Sequence, residues 1–600
     1  MKENKTRVAD FLKSHSLKIA VLLSVVLSLV SITVPLCITR FESLRALVVF
    51  LGRKLLNRPM TLRRLPYLTS FRYIACCITV SLFLASLLLF CLWRNKFENS
   101  DKLQKLAIAI TGTFAAMFVL LALDGGHNWG GDFSEYIAQA RAIVTGTIDE
   151  QVKNNSYIIG NSTPLGDIVY PWGFPLMLTP FYALSGKSLF FLKLPVMLCF
   201  SVSAIFCALL FRKHFSFFQA ELLTLFVVAN PVTILFCNQV LSDIPFMCLS
   251  LVTLYFFDGL FYTTDKKRQT VFGFCSGVFS FLAFMTRTNG IVFPCLLAAL
   301  HILHLLSKSN RIKSTMSKLN FKEFASLNLT AHLLPYFLFA LLCIIQNLFL
   351  PKAGMTHLSL YFPISPTKTI KNALYYCQVF RDFFPFRRSI SILFYAYFAP
   401  LFIYGLVRHI FRLPILSIYL FGTMGILLFA PFTGGIRYVF SAIPVMIVFA
   451  GYGARELMDN LVNKDKPMRF AVFLEIVSVL ACIQIYSASS KGMDEYGAYS
   501  VDAKEMYAAI ETETEKNNKI IFFKPRVLYL ETDRLGFQTA NIERLSDADY
   551  LLLSKDGYGT FDYDIEKQYP VESGSLQKIL ENDTMKLYKI ISKEQELSRE

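Results

Sequence analysis

Long apolar runs separated by short polar connections dominate the 600-residue chain. A bilayer's hydrocarbon core takes about 20 helical residues. Runs near that length fall at residues 17–39, 73–93, 106–123, 188–211, 220–236, 244–262, 271–284, 291–306, 333–350, 390–407, 415–429, 439–453 and 470–486. They predict about thirteen crossings, some of them short. After residue 486 the pattern changes to a charge-rich, net acidic stretch. There 503–516 has helical spacing, 519–523 and 550–554 have the look of short buried strands, and 585–591 that of a closing strand. The expected fold is a polytopic α-helical membrane protein with a small C-terminal α/β soluble domain. Its parts are an additional transmembrane region at 1–105, a main transmembrane domain at 106–488 with outer loops 124–187 and 351–389, and the tail domain at 489–600.

Composition agrees: 54% of residues are apolar, 15% aromatic, and mean hydropathy is +0.47, well beyond an ordinary globular chain. The net charge of +17 raises the question of nucleic acid, but the basic residues sit in the connections, as membrane topology requires. No nucleic-acid partner is expected. The 13 cysteines lie almost all inside apolar runs, with Cys377 the clearest exception, so no disulfide framework is indicated. The basic N-terminus precedes an apolar run too long for a signal peptide, and 17–39 reads as a retained span.

Basic connections at 212–214, 265–268, 308–322, 408–412 and 455–469 alternate with poorer ones and assign themselves to the cytoplasm. The loop after residue 123 and the tail then lie outside. Two outer segments break the rule. Residues 40–72 are basic around an apolar patch, either an interfacial helix on anionic lipid or a sign that the first spans are misdrawn. Residues 352–388 interleave Lys352, Lys368, Lys371, Arg381, Arg387 and Arg388 with tyrosines and phenylalanines. Cations among aromatics at a membrane surface suit either a phosphate-bearing lipid or an interfacial belt.

Polar chemistry concentrates just beyond 106–123, in Asp124-Gly-Gly-His127-Asn-Trp129-Gly-Gly-Asp132-Phe-Ser-Glu135-Tyr136. Asp132 stands where a helix N-cap would, Glu135 follows by three, and Tyr136, Ala140 and Ile143 recur at helical spacing up to Gly146. This predicts a short amphipathic helix on the membrane surface. Asp132 is either its cap or a functional carboxylate. Asp124 either rivals it or marks the end of a span. Glu135, one turn on, is a second carboxylate on that loop and a rival base. His127 between two aspartates invites a divalent metal, but a lone histidine argues for none. Trp129 and Trp172 either stack on a ligand or anchor at the interface.

The stretch Gly-Gly-Asp132-Phe-Ser-Glu-Tyr136-Ile-Ala-Gln-Ala140 resembles the first outer loop of GT-C glycosyltransferases, membrane enzymes that take a sugar from a polyprenyl-phosphate donor. The branch is that of protein mannosyltransferases and aminoarabinose transferases. Tyr170-Pro-Trp-Gly-Phe-Pro175, Ser242-Asp243-Ile-Pro245, Arg287-Thr-Asn-Gly290, Arg437-Tyr438 and Lys524-Pro525-Arg526 extend the resemblance over most of the chain after residue 106. Phe133 stands where protein mannosyltransferases carry a second acid, which argues against protein Ser or Thr as acceptor. The resemblance implies Asp132 as general base and a single displacement with inversion. It also implies a polyprenyl-phosphate sugar donor and a lipid, glycan or protein acceptor, in the cell (inner) membrane with site and tail extracytoplasmic. Phosphate holders are sought among Arg287, Arg437, Lys352, Arg381, Arg387 and Arg388, with His127, Glu135 and Tyr136 as further substrate contacts. No cofactor is implied. A lipid or glycan flippase would carry ionisable groups mid-span and matched halves; a lipid-linked glycan polymerase or ligase would carry different large loops.

Overall fold

A computed structural model describes residues 71–162, 166–308, 324–326, 328–351, 365–384, 388–430, 433–461, 495–565 and 576–591, with isolated positions before them. The expected spans at 17–39 and 470–486, the basic segment 40–70, Lys352 and Arg387 lie outside that set, as does the Arg388 side chain.

In chain order the helices are α1 (Phe71–Leu92), α2 (Arg94–Glu98), α3 (Asp101–Ala122), α4 (Gly131–Thr145), α5 (Ile148–Asn161), α6 (Gly173–Ser185), α7 (Leu189–Phe211), α8 (Phe217–Val228), α9 (Pro231–Cys237), α10 (Asp243–Tyr262), α11 (Lys266–Thr286), α12 (Val292–Ser307), α13 (Leu329–Phe349), α14 (Pro366–Val379), α15 (Arg388–His409), α16 (Pro414–Phe429) and α17 (Ile443–Leu461). Among the described residues seven helices are long and apolar enough to cross a membrane, eight if α8 and α9 count as one. The chain is a multi-pass membrane protein, and the described residues hold seven or eight of the thirteen expected crossings. One difference has a local cause: the run 220–236 is bent by 57° between α8 and α9. Pro231 offers no N–H and disfavours a helical residue before it, so Asn230 leaves the helix and its Oδ1 caps α9 by accepting from the Val232 and Thr233 amides.

α10 lies at the centre of the bundle, with 83% of its most apolar stretch buried against 17% for α13 and α15. Peripheral helices meet through small residues: a Cβ on Gly405 of α15 would come within 1.9 Å of the Phe449 carbonyl oxygen on α17, and one on Gly453 within 2.0 Å of Leu401 O. Only glycine permits that backbone approach.

The tail adds α18 (Val501–Glu513), β1 (Ile520–Ile521), α19 (Pro525–Thr532), β2 (Gly536–Phe537), β3 (Tyr550–Ser554), β4 (Leu576–Glu581) and β5 (Met585–Ile590). The sheet order is β2-β1-β3-β5-β4, parallel from β2 to β3 and antiparallel thereafter. The expected strand at 550–554 is β3, buried at every position, while α19 and β2 were hidden in a segment with neither periodicity. The tail sits directly on the loop after α3. His127 and Gly497 form a bridge in which Ala498 N–H donates to His127 O at 3.0 Å. Arg141 pairs with Asp533 at 2.7 Å, and Arg544 donates to the Asn161 carbonyl at 2.6 Å. Tail and Asp132 loop are therefore on one face.

Candidate active site

α4 starts one residue before Asp132. Gly130 is the N-cap and Asp132 falls in the first turn, so the expected capping role is corrected: its carboxylate is not spent on the helix's own amides. At the other end Gly146 adopts φ 72° and stops the helix where the sequence placed the stop. Nor is α4 an exposed amphipathic helix. Residues 133–140 are all buried, because α4 is held between α6 on one side and the tail helix α19 on the other.

Asp132 keeps 32% of its side chain exposed. Its Oδ1 accepts from the Tyr170 hydroxyl at 3.0 Å and its Oδ2 from Arg437 Nη2 at 2.8 Å. Arg437 stands on a short turn before α17 and also donates from Nε to Asp243 Oδ2 at 3.1 Å. Arg287, where α11 breaks, pairs with the same Asp243. Tyr438 lies under both guanidinium groups, at 4.7 Å from Arg287 and 5.6 Å from Arg437. Two carboxylates and two arginines from four separate elements thus meet at one end of the bundle. Burial alone would raise the Asp132 carboxyl, but the Arg437 charge and hydrogen bond, with Tyr170 and Arg526, hold it below the usual carboxylate range. It is ionised at neutral pH. Burial pulls on Arg437 in the opposite sense, yet Asp243 and Asp132 push it further up, so it stays charged.

Tyr136 is buried beside this cluster, its hydroxyl 2.9 Å from Ser242 Oγ and its ring edge-on to Phe174. Burial pushes its hydroxyl pKa up, so it remains a neutral hydrogen-bonding group. Glu135 is placed differently from the expectation. It points into the packing between α4 and α5, 3% exposed, with Gln151 Nε2 3.4 Å from both oxygens and Arg526 Nε at 3.9 Å. Burial pushes it up to about 7.

His127, expected among the substrate contacts, lies in the packing instead. It is fully buried against Phe133, ring centroids 3.9 Å apart. Its Nε2 accepts from the Val240 amide at 3.2 Å, which leaves Nδ1 carrying the proton toward Asn128 O at 3.0 Å. Burial holds it neutral, with its pKa down near about 3. Among the described residues no group of histidines, cysteines and carboxylates could hold a metal. Asp124, the rival base, is closed into a clamp: Lys193 Nζ, 0% exposed, donates to Asp124 O and Oδ1 at 2.9 Å, Gly126 O at 2.8 Å and Asn238 Oδ1 at 3.0 Å. Asn238 Nδ2 donates to the second Asp124 oxygen at 2.7 Å. Trp172 is buried, its indole N–H on Pro351 O at 2.8 Å, and neither stacks nor anchors. Arg381 pairs with its neighbour Asp382 at 3.6 Å and does not join the cluster.

Asp243, Tyr170 and Arg526 entered the sequence reading only within motifs, without roles. A usable signal existed for Asp243: a carboxylate at the first turn of a wholly apolar span is expensive and is kept where it has a partner or a task.

No protein-family model matches this chain, and no curated protein matches it. Solved structures do. ArnT from Cupriavidus metallidurans bound to undecaprenyl phosphate superimposes with a TM-score of 0.51 and 11% identity, covering 81% of this chain and 98% of that one. The apo form of the same protein gives 0.51 and 12%, covering 82% and 99%. At such identity the likeness is one of fold: the chain shares the polytopic helical architecture of ArnT.

Proposed function

We propose that the chain is an inverting glycosyltransferase that moves a sugar from a polyprenyl-phosphate donor to a hydroxyl or phosphate of a lipid, glycan or protein acceptor on the outer face of the membrane. The observation that carries the reading is Asp132, ionised, partly open, and 2.8 Å from Arg437 in a cluster with Asp243 and Arg287. In the proposed step an acceptor hydroxyl gives its proton to Asp132 as its oxygen attacks the anomeric carbon. The bond from that carbon to the donor phosphate breaks on the opposite side, and the phosphate leaves with the electron pair. Two arginines beside one base suit the two ends of that displacement. Each guanidinium has five N–H donors, and Nη1 of Arg437 makes none of the carboxylate contacts above. A phosphate oxygen received there forms a charge-assisted bond roughly twice as strong as a neutral one. The ArnT likeness supports the lipid-phosphate class of donor, since that protein was solved with undecaprenyl phosphate bound. The basic inner connections support the outer face.

The test uses purified full-length protein and a polyprenyl-phosphate-linked pentose or hexose, with release of polyprenyl phosphate as readout. Asp132→Asn keeps the size and the Tyr170 contact but removes the base; turnover should fall by about two to four powers of ten while the melting temperature barely moves. An Asn variant that melts like wild type and turns over nearly as fast would remove Asp132 from the mechanism.

A further inference from the structure

The tail domain reaches into the cluster through one side chain. Arg526, at the start of α19 and 4% exposed, donates from Nη1 to the Tyr170 hydroxyl at 3.0 Å and from Nε to Asn155 Oδ1 at 2.9 Å. It also bonds the Asp167 carbonyl, and its guanidinium lies 5.0 Å over the Tyr170 ring. A guanidinium has donors only, and a tyrosine hydroxyl has a single proton. With Arg526 donating to Tyr170, the Tyr170 hydroxyl must accept on that side and send its proton to its other partner, Asp132 Oδ1 at 3.0 Å.

We propose that Arg526 is a positioning residue of the transferase centre, fixing Tyr170 as a one-way hydrogen-bond donor that aims the Asp132 carboxylate. The proposal rests on the reading of Asp132 as base. Geometry separates it from a simple staple. The tail is already fastened to the loop by Arg141–Asp533, Arg544–Asn161 and the His127–Gly497 bridge, none of which touches Tyr170. Among the described residues, Arg526 alone joins the tail to a hydroxyl bonded to Asp132. Its burial would be costly for docking alone, since a buried cation needs partners with good geometry.

Asp132 is faced by Tyr170, by Arg437 and Tyr438 from the turn before α17, by Asp243 and Arg287 through Arg437, by Tyr136 and Glu135 from its own helix, and by Arg526 from the tail. Removing Arg526 takes away one of the cations that hold the carboxyl down and frees the Tyr170 proton to turn elsewhere. Both changes favour the protonated carboxylic acid. The pH below which turnover is lost therefore moves upward.

The experiment measures turnover of the polyprenyl-phosphate sugar against pH for wild type, Arg526→Gln, Arg526→Lys, Tyr170→Phe and the double variant Arg526→Gln/Tyr170→Phe, with Arg544→Ala as a docking control. The same proteins are melted without substrate. Arg526→Gln should lower kcat about tenfold or more with little change in donor KM, the signature of a lost transition-state interaction, and shift the acid limb upward. Tyr170→Phe, which keeps the cation, should shift it in the same direction by less, and the double variant no further than Arg526→Gln, because both break one relay. Arg526→Lys keeps the charge without the planar fork and should restore the limb in part. Arg544→Ala should lower the melting temperature and leave the limb in place. An unmoved acid limb in Arg526→Gln, or effects on limb and melting that add in the double variant, would overturn the relay and leave Arg526 a staple. Wild-type protein that released no polyprenyl phosphate would sink the transferase reading instead, and the substrate-free melting cycle would still decide whether Arg526 and Tyr170 act as one.

Discussion

Asp124 and Asp132 lie on the same glycine-rich loop and each meets a cation, yet the two clusters differ in kind. Around Asp124 everything is closed: the three protons of Lys193 face four acceptors, both Asp124 oxygens are bonded, and the lysine has no exposed surface. Around Asp132 the carboxylate is a third exposed, and its arginine is shared with a second acid. A closed ion pair has no capacity left for a ligand and contributes only geometry. An open one can exchange partners, as a site must when a phosphate enters. The same acid a few positions apart is thus a structural pin in one case and part of an open, exchangeable pair in the other.

The comparison breaks most visibly at Lys193. Lys193→Met leaves the Asp124 carboxylate without its cation, a loss of the kind that costs about 3–5 kcal/mol when one partner of a buried pair is removed. A large fall in melting temperature is expected, and adding Asp124→Asn should return much of it, because no stranded charge then remains. Thermal melting in detergent decides; a Met variant as stable as wild type would erase the distinction. A smaller effect is expected at the open cluster. Arg287→Gln should weaken donor affinity or turnover by about 1.5–3 kcal/mol, the range for a hydrogen bond to a charged group, with modest change in melting. Arg381→Ala should be the mildest, within about twofold of wild type in donor kinetics, since its surface pair with Asp382 is of the kind worth roughly 0–1 kcal/mol. A large kinetic loss there would extend the phosphate site into the segment before α15.

The bundle and the tail were legible from patterning because both are read from local periodicity. Tyr550 to Ser554 appears as a strand within its expected bounds, and the α4 stop at Gly146 follows from one residue's left-handed backbone. Asp132, Arg287 and Arg437 were legible because ionisable residues at the edge of apolar runs are few. His127 was misplaced for a physical reason: its position between two aspartates reads as polar chemistry, whereas its environment comes from Phe133 and the distant Val240 amide. Glu135 was placed on the site by helical spacing, but one turn of α4 is enough to aim it into the packing with α5. The bend at Asn230 and Pro231 was written in the local sequence and passed over because the flanking residues are apolar throughout. Asp243 and Tyr170 sat inside motifs, and nothing in spacing says that a tyrosine and an arginine from the tail share a hydrogen bond.

Arg526 and Asn155 are separated by 371 positions, and Arg526 and Tyr170 by 356. During synthesis the spans around α10 enter the membrane long before α19 exists. If Asp132 is aimed only once Arg526 has docked, the nascent bundle passes through the membrane in a form that can hold lipid but is not set to react with it. Full activity would then begin as a single late event, when the tail folds back onto α4, and a chain stalled before residue 526 would lack that aim however well its helices had inserted.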